Sequence, residues 1–208
     1  MQAETGSSSH APSPADRRLY LVTPARPDLE VFLEAAISGG VDIVQVRDRA
    51  LSDGDLLRAL GAARAVTRRL GVPLVVNDRP DLAVLCGADY VHVGQDDLPV
   101  DAARRFGLGV GLSTHARREI DAAGADYIAV GPVFETPTKA GRAAVGVELV
   151  GYAAERARAP WFAVGGIDSS NVAAVVAAGA RRIAVVRAIV DSPDPEGAAR
   201  ELRAALPD

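Results

Sequence analysis

The sequence has only one cysteine and few aromatic residues. Cys86 stands alone among 208 residues, so the chain cannot form an internal disulfide. It lies in the apolar stretch LAVLCGA, where we expect a buried structural thiol in a reducing cytoplasm rather than a nucleophile. Aromatic residues make up 4% of the chain, so we expect a core built largely from valine, leucine, isoleucine and alanine.

Other absences exclude whole classes of protein. No apolar run in the sequence reaches the length of a membrane span. The net charge of -4 gives no general attraction to nucleic acid or to an anionic membrane. The three histidines are too scattered along the chain to suggest a zinc site. We therefore expect small molecules as partners, and these features are also compatible with a homo-oligomer.

The first 17 residues differ in composition from the rest of the chain. Residues 1–17, MQAETGSSSHAPSPADR, are polar and rich in serine, alanine and proline. Because they contain no apolar signal core, we predict a disordered tail rather than a targeting peptide. Residues 18–208 are long enough to bury a large core, and we predict that they form one domain.

From Leu19 onward the sequence repeats one pattern. A short apolar run ends in glycine or polar residues, and an alanine-rich segment with helical spacing follows. The apolar runs predict eight strands: LYLV (19–22), DIVQV (42–46), PLVVN (73–77), YVHVG (90–94), GVGLS (109–113), YIAVG (127–131), WFAVG (161–165) and RIAVV (182–186). Helices are predicted between the strands, as in 28–40, 52–71 and 169–180.

Strands that alternate with helices predict a parallel sheet. Eight such units in this length fit a compact (β/α)8 TIM barrel, and a doubly wound open sheet is the alternative. The segment GLGVG (107–111) resembles a dinucleotide-binding loop. Its glycines run into a predicted strand instead of leaving one for a helix, so we reject a Rossmann interpretation.

Polar residues collect where the predicted strands end, which is where TIM barrels carry their active sites. In strand two, Gln45 and Arg47 have the same parity, so both side chains are expected to point into the barrel. Inside a barrel they must be paired or must meet a ligand. The alternative to a ligand site is a buried ion pair with Asp78 or Asp97.

Asp78 and Asp97 follow two neighbouring predicted strands, which places two carboxylates side by side. Oxygen ligands without a histidine or cysteine cluster favour Mg²⁺, although aspartate at such a turn also caps helices. His92 is predicted to point inward from strand four, and His115 lies just past strand five. Either histidine is open to a purely structural role.

The last two strands predict a second anion site. Gly165 and Gly166 follow strand seven, and Val186 and Arg187 end strand eight, the usual place of a TIM-barrel phosphate site. The alternative for the glycine pair is a tight turn. The segment GPVFETPTKAGRAAVG (131–146) is an unusually long polar loop on the same rim. Its hydroxyls and cations favour a flap over anionic groups, and a solvated surface loop is the alternative.

Seven segments occur in one order: QVRDR, VND, VHVGQDD, GLSTH, GPVFETPTK, VGGI and VVRAI. With them the sequence resembles the thiamine phosphate synthase (thiamine-phosphate pyrophosphorylase) family over about residues 18–205. The resemblance implies a (β/α)8 barrel and a transferase that uses Mg²⁺. It would join 4-amino-2-methyl-5-pyrimidinylmethyl diphosphate to hydroxyethylthiazole phosphate, releasing thiamine phosphate and diphosphate. Because the departing diphosphate leaves a resonance-stabilised cation, we expect a dissociative substitution.

The resemblance also implies the binding residues. Those for the pyrimidine diphosphate would be Gln45, Arg47, Arg49, Asn77, Ser113 and Lys139, with Arg47, Ser113 and Lys139 catalytic. Those for the thiazole phosphate would be Thr136, Thr138, Gly166, Val186 and Arg187, and Asp78 and Asp97 would bind Mg²⁺. Two positions depart from the family pattern. Arg49 stands where lysine is usual, and Arg187 stands where serine is frequent, so a backbone N–H would have to replace that hydroxyl.

Three other functions are weighed against this one. A related thiazole tautomerase has a similar barrel but expels no diphosphate, so it would not need the acidic pair and the cations together. A non-catalytic barrel would bind the phosphorylated thiazole without turnover. A sugar-phosphate epimerase or aldolase would need paired acid and base groups or a Schiff-base lysine. Lys139 is the only lysine and lies in the loop, a poor place for an imine.

Overall fold

Eight short strands form the centre of the protein in a computed structural model, which describes residues 13–136 and 143–207. Each predicted apolar run matches one strand to within one residue at either end, because its β-branched residues suit a strand buried on both faces. The strands are β1 Leu19–Thr23, β2 Ile43–Val46, β3 Leu74–Asn77, β4 Tyr90–Val93, β5 Gly109–Thr114, β6 Tyr127–Val130, β7 Trp161–Val164 and β8 Ile183–Val185.

Helices separate the strands along the chain. They are α1 Leu29–Ser38, α2 Asp53–Arg69, α3 Pro80–Cys86, α4 Val100–Arg104, α5 Arg117–Ala122, α6 Gly146–Arg156, α7 Val172–Ala177, α8 Arg187–Val190 and α9 Pro195–Ala204. The longest, α2, begins after Ser52, whose hydroxyl accepts the backbone N–H of Asp55, and carries Arg68 and Arg69 in its last turn. Among the described residues, no helix has both the length and the apolar character that a bilayer span requires.

The sheet closes on itself. Every neighbouring pair of strands is parallel, and β1 pairs with both β2 and β8, so that Leu21 lies beside Val44 on one side and Val185 on the other. The prediction of a (β/α)8 barrel is confirmed, and the open-sheet alternative is wrong. Because all eight strands run in one direction, their carboxyl ends share one mouth.

The core is built largely from aliphatic residues, as expected, but the barrel interior adds a cluster of aromatic rings. The layer between strands and helices is mainly aliphatic, whereas the inside of the barrel holds four aromatic rings: Tyr20, Tyr90, Tyr127 and Phe162. Tyr127 meets the other three edge to face, with ring centroids 5.8 to 6.0 Å apart. Nearly half of the chain's few aromatic residues thus lie inside the barrel. Their large rings fill the space that the eight strands enclose.

The two glycines of β5 make room for these rings. A Cβ atom on Gly109 would lie 2.2 Å from the Tyr90 ring, and one on Gly111 would lie 2.1 Å from the Tyr127 ring. Both separations are far below van der Waals contact. The GLGVG segment therefore runs into strand β5, as its context predicted, and the two glycines inside the strand admit aromatic side chains from the two neighbouring strands.

Three aspartates brace the amino-terminal end of the barrel. Asp42, Asp89 and Asp126 immediately precede β2, β4 and β6, and each carboxylate accepts a backbone N–H from the preceding strand or from the residue before it. Asp89, for example, accepts from Leu74 at 2.8 Å, and its own N–H donates to the Leu74 carbonyl at 2.9 Å. Burial raises the pKa of Asp42. These side chains hold adjacent strands in register, far from the polar mouth.

We expect Asp89→Ala to lower the free energy of unfolding by about 2–3 kcal/mol, since it leaves the Leu74 N–H without its acceptor. It also removes the Arg64 ion pair, whose Nη1–Oδ2 distance is 2.8 Å. Urea unfolding would measure the change. Glu155→Ala, at an exposed position on α6, is the control and should stay within about 0.5 kcal/mol of the wild type. Equal stability of the two variants would contradict the bracing role.

The described part of the chain begins at residue 13, before the predicted domain boundary at residue 18. Pro14–Asp16 form a 3₁₀ turn with Pro14 buried. Arg182, which precedes β8, donates from Nε to the Ala15 carbonyl at 3.1 Å. The predicted tail thus overlaps residues 13–17, where an arginine at the barrel base binds this turn. Residues 1–12 lie outside the described part of the chain.

Candidate active site

A cavity of about 710 Å³ opens at the carboxyl ends of the strands. Its wall contains every predicted site residue that the structure describes: Gln45, Arg47, Arg49, Asn77, Asp78, Asp97, Ser113, Thr136, Gly166, Val186 and Arg187. The predicted residues Thr138 and Lys139 lie outside the described part of the chain, as does Arg142. Residues that lie far apart in the sequence thus line one space.

Asp78 has an unusual backbone conformation at the end of β3. With φ of 61°, it is the only non-glycine residue in the left-handed region among the described residues. Its N–H still donates to the His92 carbonyl at 2.9 Å, so the chain turns only after this last bond to β4. A non-glycine residue in this region costs on the order of 1–3 kcal/mol. Such strain is typical of functional sites, and here it accompanies a side chain in the cavity wall.

Asp97 lies next to Asp78 and is held by its own turn. Its Oδ2 accepts the N–H of Gly94 at 2.8 Å, which fixes the carboxylate directly after β4. Both carboxyl groups lie in the wall of the same cavity, and the charge of Asp97 acts on Asp78. Burial and the nearby Asp97 raise the pKa of Asp78, and the hydrogen bond from Arg49 opposes them. The predicted adjacency of the two acids is confirmed, and helix capping does not explain Asp97, since α4 begins only after Pro99.

Two arginines accompany this acidic pair. Arg49 donates to Asp78 Oδ2 from Nη2 at 2.6 Å and from Nε at 3.1 Å, although 62% of its side chain is exposed. Arg47 is half-buried, and both burial and the charge of Arg49 lower its pKa. We considered a buried ion pair between Arg47 and one of the two aspartates. The ion pair that the structure shows is instead between Arg49 and Asp78, and it lies near the solvent. Two cations that repel each other beside two carboxylates form a site suited to a multiply charged anion with a metal ion.

The opposite wall is formed by the turn after β7. Gly165 and Gly166 have φ of 104° and 66°, values that side-chain-bearing residues rarely adopt. Asn171 braces the turn, because its Nδ2 donates to the Gly166 carbonyl at 2.8 Å while its Oδ1 accepts the Asp168 N–H at 3.0 Å. Asn171 directly precedes α7, a position typical of a helix cap, but its side chain makes no capping bond to that helix. Its position five residues after the second glycine was the available signal.

The long loop after β6 starts beside this turn, and its far end returns to its own start. The N–H groups of Val133 and Phe134 donate to the carbonyls of Val164 and Gly165, at 2.9 and 3.0 Å. At the other end of the loop, Val145 donates to the Pro132 carbonyl at 2.8 Å. The two ends are therefore tied together at the mouth of the barrel, and Thr136 lies in the cavity wall.

The histidines and the cysteine have distinct environments. His92 is buried inside the barrel, between the hydroxyls of Tyr127 and Ser113. His115 binds the Gly131 carbonyl through Nδ1, and its backbone N–H donates to Glu119 at 2.7 Å. Cys86 ends α3 and is only partly buried, which corrects the expectation of a fully buried thiol. Burial nonetheless raises the pKa of this thiol, as expected for an unreactive cysteine.

A closed parallel barrel with a polar cavity at the carboxyl ends of its strands defines a TIM-barrel enzyme. Residues 19–189 match the family model described as thiamine monophosphate synthase. The chain belongs to this family, which confirms the resemblance found in the sequence, and it is a transferase.

Similar proteins agree with the family match. A thiamine-phosphate synthase of Thermus thermophilus is 53% identical, with 91% of this chain and 97% of the relative covered. One of Arthrobacter sp. (strain FB24) is 50% identical, with 92% and 94% covered. Among solved structures, a thiamine phosphate pyrophosphorylase from Pyrococcus furiosus is 29% identical and superposes with a TM-score of 0.84, covering 92% of this chain and 96% of that one.

Proposed function

We propose that this transferase joins 4-amino-2-methyl-5-pyrimidinylmethyl diphosphate to hydroxyethylthiazole phosphate in the cytoplasm, forming thiamine phosphate and releasing diphosphate. One observation carries the proposal: a single cavity has the acidic pair and its arginines on one wall and the glycine turn on the other. Two substrates that each bear phosphate would need two such anion sites in one space.

Mg²⁺ fits the donor set of the first wall. Asp78 and Asp97 present carboxylate oxygens side by side. Within residues 13–136 and 143–207, no group of three or more histidine, cysteine or acidic side chains is placed to hold a metal. Mg²⁺ commonly takes one or two carboxylates and completes its shell with substrate phosphate and water. When bound here, it would neutralise charge on the departing diphosphate.

The remaining polar groups of that wall would hold the pyrimidine substrate. Arg47 and Arg49 lie beside the acidic pair, Asn77 ends β3, and Ser113 lies near the carboxyl end of β5. We assign Gln45 to the same substrate, and we keep the predicted role of Lys139 on the diphosphate. Arg47, Ser113 and Lys139 would stabilise the charge that develops as the carbon–oxygen bond breaks.

The glycine wall would bind the thiazole phosphate. Gly166 and Val186 flank the cavity, Arg187 starts α8, and Thr136 lies across the glycine turn; Thr138 keeps its predicted role. Holding this phosphate would aim the thiazole nitrogen at the methylene carbon of the other substrate. The reaction would be a dissociative substitution, since the electron-rich aminopyrimidine stabilises the cation left behind. It requires no protein nucleophile.

An assay with both substrates tests the function. We expect thiamine phosphate and diphosphate to form in equal amounts, and only when Mg²⁺ is present. Isomerisation of a thiazole phosphate without Mg²⁺ would instead favour the tautomerase, which expels no diphosphate. Binding of thiazole phosphate without any turnover would favour a non-catalytic sensor. Either result would overturn the proposal.

Removal of the Arg49–Asp78 ion pair should change two affinities in opposite directions. In Arg49→Ala, Mg²⁺ should bind up to about five-fold more tightly, because the metal no longer displaces a cation from Asp78. The KM for the pyrimidine diphosphate should rise, because one phosphate donor is lost. Calorimetry with Mg²⁺ and steady-state kinetics measure the two effects. If both affinities fell together, Arg49 would not compete with the metal.

A further inference from the structure

Beneath the cavity, five side chains form one continuous line of hydrogen bonds through the barrel interior. Gln45 Nε2 lies 2.5 Å from the Tyr20 hydroxyl, which lies 2.9 Å from that of Tyr127. The Tyr127 hydroxyl is 3.1 Å from His92 Nδ1, and His92 Nε2 is 2.9 Å from Ser113 Oγ. We call this line the relay. It begins and ends at residues that we assign to the pyrimidine substrate.

Every member of the relay is buried, with exposed fractions between 0% and 7%. Buried polar groups need partners, because an unsatisfied donor in the interior is costly. Five different strands, β2, β1, β6, β4 and β5, supply the five side chains. The closed barrel therefore fixes the positions of the relay atoms, and only the directions of the protons remain to be assigned.

The amide of Gln45 sets those directions. Its Nε2–H donates to the Tyr20 oxygen. If Tyr127 also donated to Tyr20, that oxygen would accept twice, and its own proton would need a further acceptor in the ring cluster. When Tyr20 donates to Tyr127 instead, each tyrosine hydroxyl accepts one bond and gives one. The Tyr127 proton then points at His92 Nδ1.

The same logic continues to the cavity. Because Nδ1 of His92 accepts, a neutral ring carries its proton on Nε2 and donates to Ser113 Oγ. The hydroxyl proton of Ser113 is then directed away from His92. In the reverse order, the Ser113 hydroxyl would donate its proton to His92, and it could then only accept hydrogen bonds from a substrate. Burial raises the pKa of both Tyr20 and Tyr127, so both remain protonated donors.

We propose that His92 and Tyr127 are positioning residues that make Ser113 a hydrogen-bond donor to an anionic oxygen of the substrate diphosphate. The proposal deepens the function given above and rests on it for the identity of the acceptor. The order of protons itself does not depend on any substrate. The relay would thereby hold Ser113 ready for negative charge that increases as the diphosphate leaves.

The ¹⁵N signals of the histidine rings test the order of protons directly. The chain has three histidines, which keeps the spectrum simple. With His92 assigned through its ring-to-backbone correlations, we expect a neutral ring protonated on Nε2 in the wild type. In Tyr127→Phe, which removes the donor to Nδ1, we expect the second tautomer to appear. A wild-type ring protonated on Nδ1, or on both nitrogens, would overturn the proposal even if the enzyme is active.

Kinetics test whether the relay acts through Ser113. Tyr127→Phe keeps the ring that packs on Tyr20 and Phe162, and we expect kcat to fall about 10- to 100-fold, as for other groups that orient a reacting residue. The KM for the thiazole phosphate should not change. When Ser113→Ala is already present, adding Tyr127→Phe should lower kcat by less than about two-fold further, because the serine that Tyr127 positions is already lost. Independent, multiplicative losses would overturn the proposal.

Tyr90→Phe is the matched control. Its ring packs on Tyr127 with centroids 5.9 Å apart, yet its hydroxyl is not a relay atom. It should keep the wild-type tautomer of His92 and a kcat within about two-fold of the wild type, since only packing neighbours of the relay are changed. A loss equal to that of Tyr127→Phe would mean that the ring cluster, not the relay, supports activity. If the wild type made no thiamine phosphate, the proposed function would be wrong. The ¹⁵N spectrum would still show whether the protons of the relay have the proposed order.

Discussion

Asp97→Asn is expected to lower kcat on the order of 10³-fold at a fixed Mg²⁺ concentration. Loss of metal stabilisation of a leaving group is worth several kcal/mol, and each ~1.4 kcal/mol is a factor of ten in rate. The substitution is mild for the fold, because the asparagine carbonyl can still accept the Gly94 N–H that now lies 2.8 Å from Oδ2. The defect should therefore be one of catalysis rather than of folding.

The Mg²⁺ dependence separates the metal role from other roles of Asp97. If the carboxylate binds Mg²⁺, raising the metal concentration should restore part of the lost turnover. Asp101→Asn is the control, because it makes the same charge change on the exposed first turn of α4. Steady-state rates over a series of Mg²⁺ concentrations, with thermal unfolding to verify the fold, provide the measurement. Wild-type turnover in folded Asp97→Asn would remove the metal assignment.

Gly166→Ala should damage the second anion site alone. A Cβ atom at Gly166 would lie 2.8 Å from both the Glu135 carbonyl oxygen and the Phe134 Cβ, at a φ of +66°. The turn must then shift, and its backbone donors would no longer meet a phosphate. Charge-assisted hydrogen bonds contribute about 1.5–3 kcal/mol each, so we expect the KM for the thiazole phosphate to rise about 10- to 100-fold.

The other kinetic parameters distinguish this local effect from general damage. The KM for the pyrimidine diphosphate should remain near the wild-type value, since its wall lies across the cavity. Stability should fall by about 1–2 kcal/mol from the left-handed backbone. Gly61→Ala in α2, where no atom other than those of the adjacent residues and the helix's own backbone lies within 4 Å of the added Cβ, should be neutral or stabilising by up to about 1 kcal/mol. An equal rise in KM for both substrates would show that the two walls are not independent sites.

The fold could be predicted because the information is local and repeated. Each strand is a short apolar run followed by a polar turn, and eight repeats in order allow few arrangements other than a barrel. The candidate site followed from the same property, since strand ends such as Asn77 and Ser113 must reach one mouth. Ordered sequence segments then identified the family.

Features that depend on distant contacts were not predicted. Tyr20 and Tyr127 are 107 residues apart, and their hydroxyls meet only when β1 and β6 face each other across the closed barrel. The aromatic interior was missed for this reason, because 4% aromatic content says nothing about how the rings cluster. The left-handed conformation of Asp78 was also invisible, since aspartate is common in ordinary turns.

The most direct test of the metal-assisted two-site account is a crystal structure with Mg²⁺, inorganic diphosphate and thiazole phosphate. We expect one metal ion bound by oxygens of both Asp78 and Asp97 and by the diphosphate, at metal–oxygen distances of about 2.0–2.1 Å. The thiazole phosphate should lie on the Gly166 turn. Diphosphate bound on that turn instead, or a metal ion held away from both aspartates, would contradict the account.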